Sequence, residues 1–171
     1  MNPVDRVRAA LIEVGLGDIV LELSESARTA PLAAEAIGAH FGRHVPVGAI
    51  VKSLLFLVND QPLIVLAAGD RNVNQKLVGA LYNVSGKKVK FADAETVLRI
   101  TGYEVGGVPP VGHAQKLSVL IDESLSRFPT VWAAAGAHHA VFPIEYERLI
   151  AVTDGRVEKI TVEPGETSRD A

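Results

Sequence analysis

Two apolar runs, Ala49–Val58 and Leu63–Ala67, are separated only by Asn59-Asp60-Gln61-Pro62. Each run is too short for a typical buried helix, and the spacer is made of turn-forming residues. The pattern predicts a β-hairpin. A strand over the first run places Ile50, Lys52, Leu54, Phe56 and Val58 on one face, because side chains alternate with period two. Lys52 is the anomaly. An ammonium group on an apolar face must snorkel to water, find a partner or line a pocket. The pattern alone leaves these readings open; the plainest is a lysine whose stem covers the sheet end while its charge stays wet.

The rest of the chain supplies helices around this hairpin. Asn2 and Pro3 open a helix whose stripe is Val4, Val7, Leu11 and Val14, before Gly15. A strand is predicted at Ile19–Leu23. A helix follows, capped by Thr29 and ended by Gly38, with His40–Val47 as an irregular link. Further helices are expected near Asn74–Tyr82 and between Asp93 and Gly102. Strands are expected at Val89–Phe91, Ser118–Ile121, Val131–Ala135, Val141–Ile144 and Arg156–Val162, with a helical turn at Tyr146–Leu149. This mixture lacks regular strand–helix alternation. It favours a mixed α/β (α+β) domain with a largely antiparallel, curved sheet flanked by helices over a doubly wound fold. The 171 residues suit one domain over 1–163 with a polar, disordered tail over 164–171.

Several functional classes drop out. There is no cysteine, so thiolate metal sites, disulfides and Cys nucleophiles are excluded. A net charge of −3 argues against a nonspecific coat on DNA or other nucleic acid. Lys87, Lys88 and Lys90 crowd one stretch, which is either a solvated face or a contact for a few phosphates. No apolar run approaches the ~20 residues of a membrane span. The start of the chain, with Asp5, Arg6 and Arg8, has no apolar signal core, so a cytoplasmic location is expected.

The chemistry-bearing residues are few. Gly102-Tyr103-Glu104-Val105-Gly106-Gly107-Val108-Pro109-Pro110 joins paired glycines to a stiff proline pair. Such a loop can expose backbone N–H groups to an oxyanion or a carbonyl oxygen, and it can equally be a tight surface connection. Phosphate-loop, dinucleotide and nucleophile-elbow patterns are missing. His138 and His139 are adjacent, so on a strand they face opposite ways and cannot chelate one metal. His138 follows Ala133-Ala134-Ala135-Gly136 at a predicted strand end, where a functional role and an exposed turn are equally good readings.

Taken together and in this order, these segments resemble the YbaK/EbsC family of aminoacyl-tRNA deacylases, the prolyl-tRNA synthetase-associated editing domain. Ile50-Val51-Lys52-Ser53-Leu54-Leu55-Phe56 is similar to the family's lysine strand, and Gly106–Pro110 to its G-x-x-x-P loop. Ala67–Arg71, Ile121–Leu125 and Val131–Gly136 resemble further segments, so the likeness runs from Val4 to Val152. The resemblance implies a barrel-like sheet and hydrolysis of the aminoacyl ester at the acceptor end of a mischarged tRNA. No cofactor, metal or covalent nucleophile is implied. Lys52, Gly106 and Gly107 would be catalytic, and Ser53, Val108, Pro110, Gly136 and His138 would contact substrate. The implied substrate is tRNA for proline carrying a small wrong amino acid such as alanine or cysteine. An aminoacyl-tRNA synthetase is a possible partner; membranes and DNA are not. Ser53 departs from the Asn of some alanine-specific members and the Thr of many cysteine-specific ones. His40–His44 is longer and more polar than the usual link. The amino acid removed therefore stays open. A noncatalytic tRNA- or synthetase-binding module of the same fold, or a small-molecule-binding regulator, would use the same pocket differently.

Overall fold

The hairpin forms, and the remaining elements pack around it. The computed structural model describes residues 1–165, so most of the predicted tail lies outside the described residues. In chain order the elements are α1 (Pro3–Glu13), β1 (Leu21–Glu22), α2 (Ala30–Phe41), β2 (Val51–Val58), β3 (Gln61–Ala68), β4 (Asn72–Val73), α3 (Gln75–Leu81) and β5 (Val89–Phe91). They continue with α4 (Ala94–Thr101), β6 (Ser118–Asp122), β7 (Thr130–Ala134), β8 (Ala140–Glu145), α5 (Tyr146–Thr153), β9 (Arg156–Glu158) and β10 (Thr161–Val162). Short 3₁₀ turns cover Val47–Ala49, Gly86–Lys88 and Glu123–Arg127.

Local chemistry sets most of these limits. Asn2, Thr29, Asn74 and Asp93 each accept a hydrogen bond from a first-turn amide of the helix they precede. The β2–β3 turn is tighter than the spacer suggests. Asn59 and Asp60 alone form it, both with positive φ (49° and 68°), which matches the twist of a two-residue hairpin. Pro62 is already in β3, opposite Leu57. It is tolerated because the pairing of β3 with β6 begins only at Leu63.

The mixed α/β architecture is the one expected, with antiparallel and parallel pairings and without closure into a barrel. A five-stranded sheet has the order β5-β2-β3-β6-β9, a three-stranded sheet the order β1-β8-β7, and β10 pairs with β4. β6 runs parallel to both β3 and β9, and the other pairs are antiparallel. The main core lies between the two larger sheets, where Val51, Leu55, Ile64 and Ile121 meet Ala133 and Phe142, with Val7 of α1 and Ile100 of α4 added. Phe56, Val58 and Val65 pack beneath Val78 of α3, while α2 packs Ala33 and Ile37 near Trp132 and Val141.

Three local expectations change. Helix α2 passes through Gly38 and ends at Gly42, whose φ of 65° makes the left-handed cap. Gly38 is needed inside the helix because the chain folds back on it; a Cβ there would sit 2.7 Å from the Arg43 carbonyl oxygen. Ile50 precedes β2, bridges to Trp132 and packs with α2 rather than with the Phe56 face. The predicted strand over Arg156–Val162 breaks into β9 and β10, which join different sheets.

Asp122 causes that break. Its fully buried carboxylate accepts from Ile160 N (2.9 Å), Thr161 Oγ1 (2.8 Å), Ser124 N (3.0 Å) and Ser124 Oγ. The last segment is thereby pinned at Ile160. Asp122→Asn turns one accepting oxygen into a donor facing donors, an expected loss of about 2 kcal/mol. Thermal unfolding should show a midpoint lower by roughly 4–8 °C.

Candidate active site

Strand β2 is paired with β3 along its whole length, but with β5 only from Phe56 to Val58. On the same side, the bridge to β7 is made at Ile50. Residues 51–54 therefore leave a gap in the sheet edge, and a cavity of about 400 Å³ opens there. This volume lies within the range of small-molecule sites. Ala33 and Ile37 of α2, Ile50, Trp132 and Val141 give it an apolar floor. Lys52, Ser53, Gly106, Val108 and Arg28 stand among its lining residues.

Lys52 is half-buried and donates from Nζ to the Arg71 carbonyl oxygen. An ammonium group has three protons, so two remain for other acceptors. Burial lowers its pKa from the ordinary lysine value, and the Asp70 carboxylate partly opposes that fall. Ser53 contributes a hydroxyl whose oxygen is buried without a hydrogen-bond partner among the described residues.

The glycine loop lines the cavity through Val105, Gly106 and Val108. Gly107 N donates to Glu104 O (2.9 Å), closing a turn in which Gly106 has a φ of 89°. That left-handed third position requires glycine. Among the described residues, the N–H groups of Gly106 and Val108 have no acceptor, and both residues line the cavity. The Gly107 amide, in contrast, is already occupied by the turn.

The other candidate residues separate from the cavity. Gly107, Gly136 and His138 line a groove on the back of the loop. Gly136 N donates to Gly107 O (2.9 Å), and a Cβ on Gly107 would meet Ala137 N at 3.0 Å, so these glycines let two backbones touch. His138 places Nε2 3.2 Å from Val105 O. Pro110 is buried beneath the loop and lines neither space. Arg28, which borders the cavity, has no mark in the sequence because it is brought in from another element, whereas Val105 borders it as part of the glycine loop itself.

His113 stiffens the loop from below. Its Nε2 is 2.7 Å from Pro109 O, and burial lowers its pKa from 6.5 despite that hydrogen bond. The unfolded chain therefore binds this proton more readily. Stability from neutral His113 is complete above pH 6.5 and is lost as pH falls through the lower folded value. Urea midpoints at pH 5 and 7.5 should differ more in the parent chain than in His113→Gln.

The profile of the aminoacyl-tRNA editing domain family matches residues 24–152. The chain belongs to this family. The match takes in β2, the glycine loop and β7, the elements that frame the cavity. The editing domain is 35% identical to YwhH, an uncharacterized protein of Bacillus subtilis (strain 168), over 76% of this chain and 78% of that one. It is 36% identical over 81 residues to a proline–tRNA ligase of Lactobacillus gasseri, 47% of this chain but only 14% of the ligase's length. A solved structure of a candidate trans-editing enzyme for prolyl tRNA synthetase superposes with a TM-score of 0.84 at 35% identity, covering 95% of this chain and 98% of that one. Among the described residues no helix of the editing domain is long and apolar enough to cross a membrane.

Proposed function

We propose that this editing domain is an aminoacyl-tRNA deacylase acting in trans on tRNA for proline that carries a small wrong amino acid. The observation that carries the reading is the meeting, around one apolar cavity, of Lys52 and the open amides of Gly106 and Val108. The aminoacyl group enters over the apolar floor, and the terminal ribose stays at the mouth. Water attacks the ester carbonyl carbon. The Gly106 and Val108 N–H groups hold the oxygen as it becomes an oxyanion, a preorganised contact that strengthens only in the transition state. The carbon–oxygen bond to the ribose breaks, and the ribose oxygen takes a proton derived from the attacking water. The products are a free amino acid and a tRNA with a free terminal hydroxyl. Lys52 positions the substrate through its terminal nucleotide or its amino acid. Gly107, Gly136, Pro110 and His138 hold the loop at its back.

An apolar floor sorts side chains by size and shape, at about 10–200-fold per methylene. One small wrong amino acid should therefore be removed faster than its near neighbours, without absolute selectivity. The test is hydrolysis of tRNA for proline charged separately with proline, alanine, cysteine and serine, with alanine on its cognate tRNA alongside. Loss of one wrong ester with prolyl-tRNA spared supports the reading. No hydrolysis of any ester by folded protein overturns it and leaves a binding module of the same fold.

A further inference from the structure

We infer that Asp70, clamped by Arg127, is the positioning residue for Lys52, so that the ammonium in the cavity depends on a pair outside it. The inference rests on the proposed function only for its catalytic consequence. Arg127 donates Nη1 and Nη2 to the two Asp70 oxygens at 2.9 and 2.6 Å, a paired fork that fixes the carboxylate in direction as well as distance. Arg127 is itself tied down, its Nε donating to Ser124 O at 2.7 Å. Asp70 sits between Gly69, whose N–H bonds Ile50 O (2.8 Å), and Arg71, whose N–H bonds Ala68 O (3.0 Å) and whose carbonyl receives the Lys52 proton. A shift of Asp70 thus moves the acceptor that holds Lys52. Gly48 keeps the clamp open, since a Cβ there would lie 2.9 Å from each Asp70 oxygen and 3.0 Å from Arg127 Nη2.

The charges around Lys52 give the pair a second effect. Asp70 attracts the ammonium and opposes the cost of its burial, while Arg127's hydrogen bonds hold the Asp70 carboxyl below the usual carboxylate range. Arg71 stands beside Asp70 at 3.8 Å and reaches Glu163 at 3.5 Å. Arg28 borders the same cavity. Removing Asp70's charge leaves the burial cost of Lys52 unopposed, and removing Arg127 frees Asp70 from the fork that aims it. Both substitutions therefore lower the Lys52 midpoint, and because Arg127 acts through Asp70 their effects do not add.

The experiment is an NMR pH titration of protein carrying ¹³Cε-labelled lysine, with the Lys52 signal assigned by its loss in Lys52→Arg. Asp70→Asn should lower the Lys52 midpoint, Arg127→Gln should lower it less, and the double variant should match Asp70→Asn alone. Both side chains are about one-third exposed (38% and 34%), so neither change strands a buried partner. Should one single variant not fold, the other against the parent chain still gives the sign. Midpoints that stay put, or shifts that add in the double variant, overturn the inference. The titration uses no tRNA, so it succeeds or fails independently of deacylation. With charged tRNA, the alkaline limb of kcat/KM should follow each midpoint.

Discussion

Lys52→Ala is expected to fold like the parent chain and to lose deacylation by about 10²-fold, the scale of misplacing a bound substrate by about 1 Å. The side chain lies at the unpaired stretch of β2, and its removal enlarges a cavity that is already open. Folding does not depend on the ammonium, whose burial is unfavourable. Because burial lowers its pKa, the unfolded chain holds this proton more tightly between the folded value and 10.5. Lys52's contribution to stability accordingly rises with pH across that window, and Lys52→Ala should lack the rise. Denaturant midpoints at pH 7.5 and 10 check the stability half, and single-turnover hydrolysis of the mischarged tRNA checks the other. A variant with full rate would remove Lys52 from the site.

Gly106→Val should abolish turnover to a similar degree, and for a different reason. With a φ of 89°, the position disfavours a β-branched residue by about 1–2 kcal/mol. Its Cβ would also press on Arg28 Cγ at 3.0 Å and on Arg28 O at 3.3 Å. The loop has to shift, and the Gly106 and Val108 amides shift with it. Gly15→Val is the control. Gly15 has a φ of 85° and nothing near its absent Cβ, so it carries the same backbone strain away from the cavity. Gly15→Val should lower the thermal midpoint and leave hydrolysis unchanged. Unchanged turnover in Gly106→Val would sink the amide cradle.

The contrast between the two glycines of the loop shows how far local pattern reaches. The sequence marks Gly106-Gly107 as a place where amides can be exposed, because paired glycines permit positive φ. It does not tell which amide is open. That depends on the Glu104 carbonyl, which takes the Gly107 N–H and leaves those of Gly106 and Val108. His138 is similar. Its place after a strand was legible, but the direction of the strand end turns it to the back of the loop.

What the sequence determined by itself is local. It holds the hairpin, the helix caps, the odd charge at Lys52 and the glycine loop, because alternation, capping and turn chemistry act over a few neighbouring residues. What only the tertiary structure decided is non-local. The gap between β5 and β7 along β2 makes the cavity, and the Asp70–Arg127 clamp joins residues 57 apart in the chain. Neither leaves a periodic trace, because a strand's unpaired stretch and an ion pair's partner are set by which distant segments pack against them.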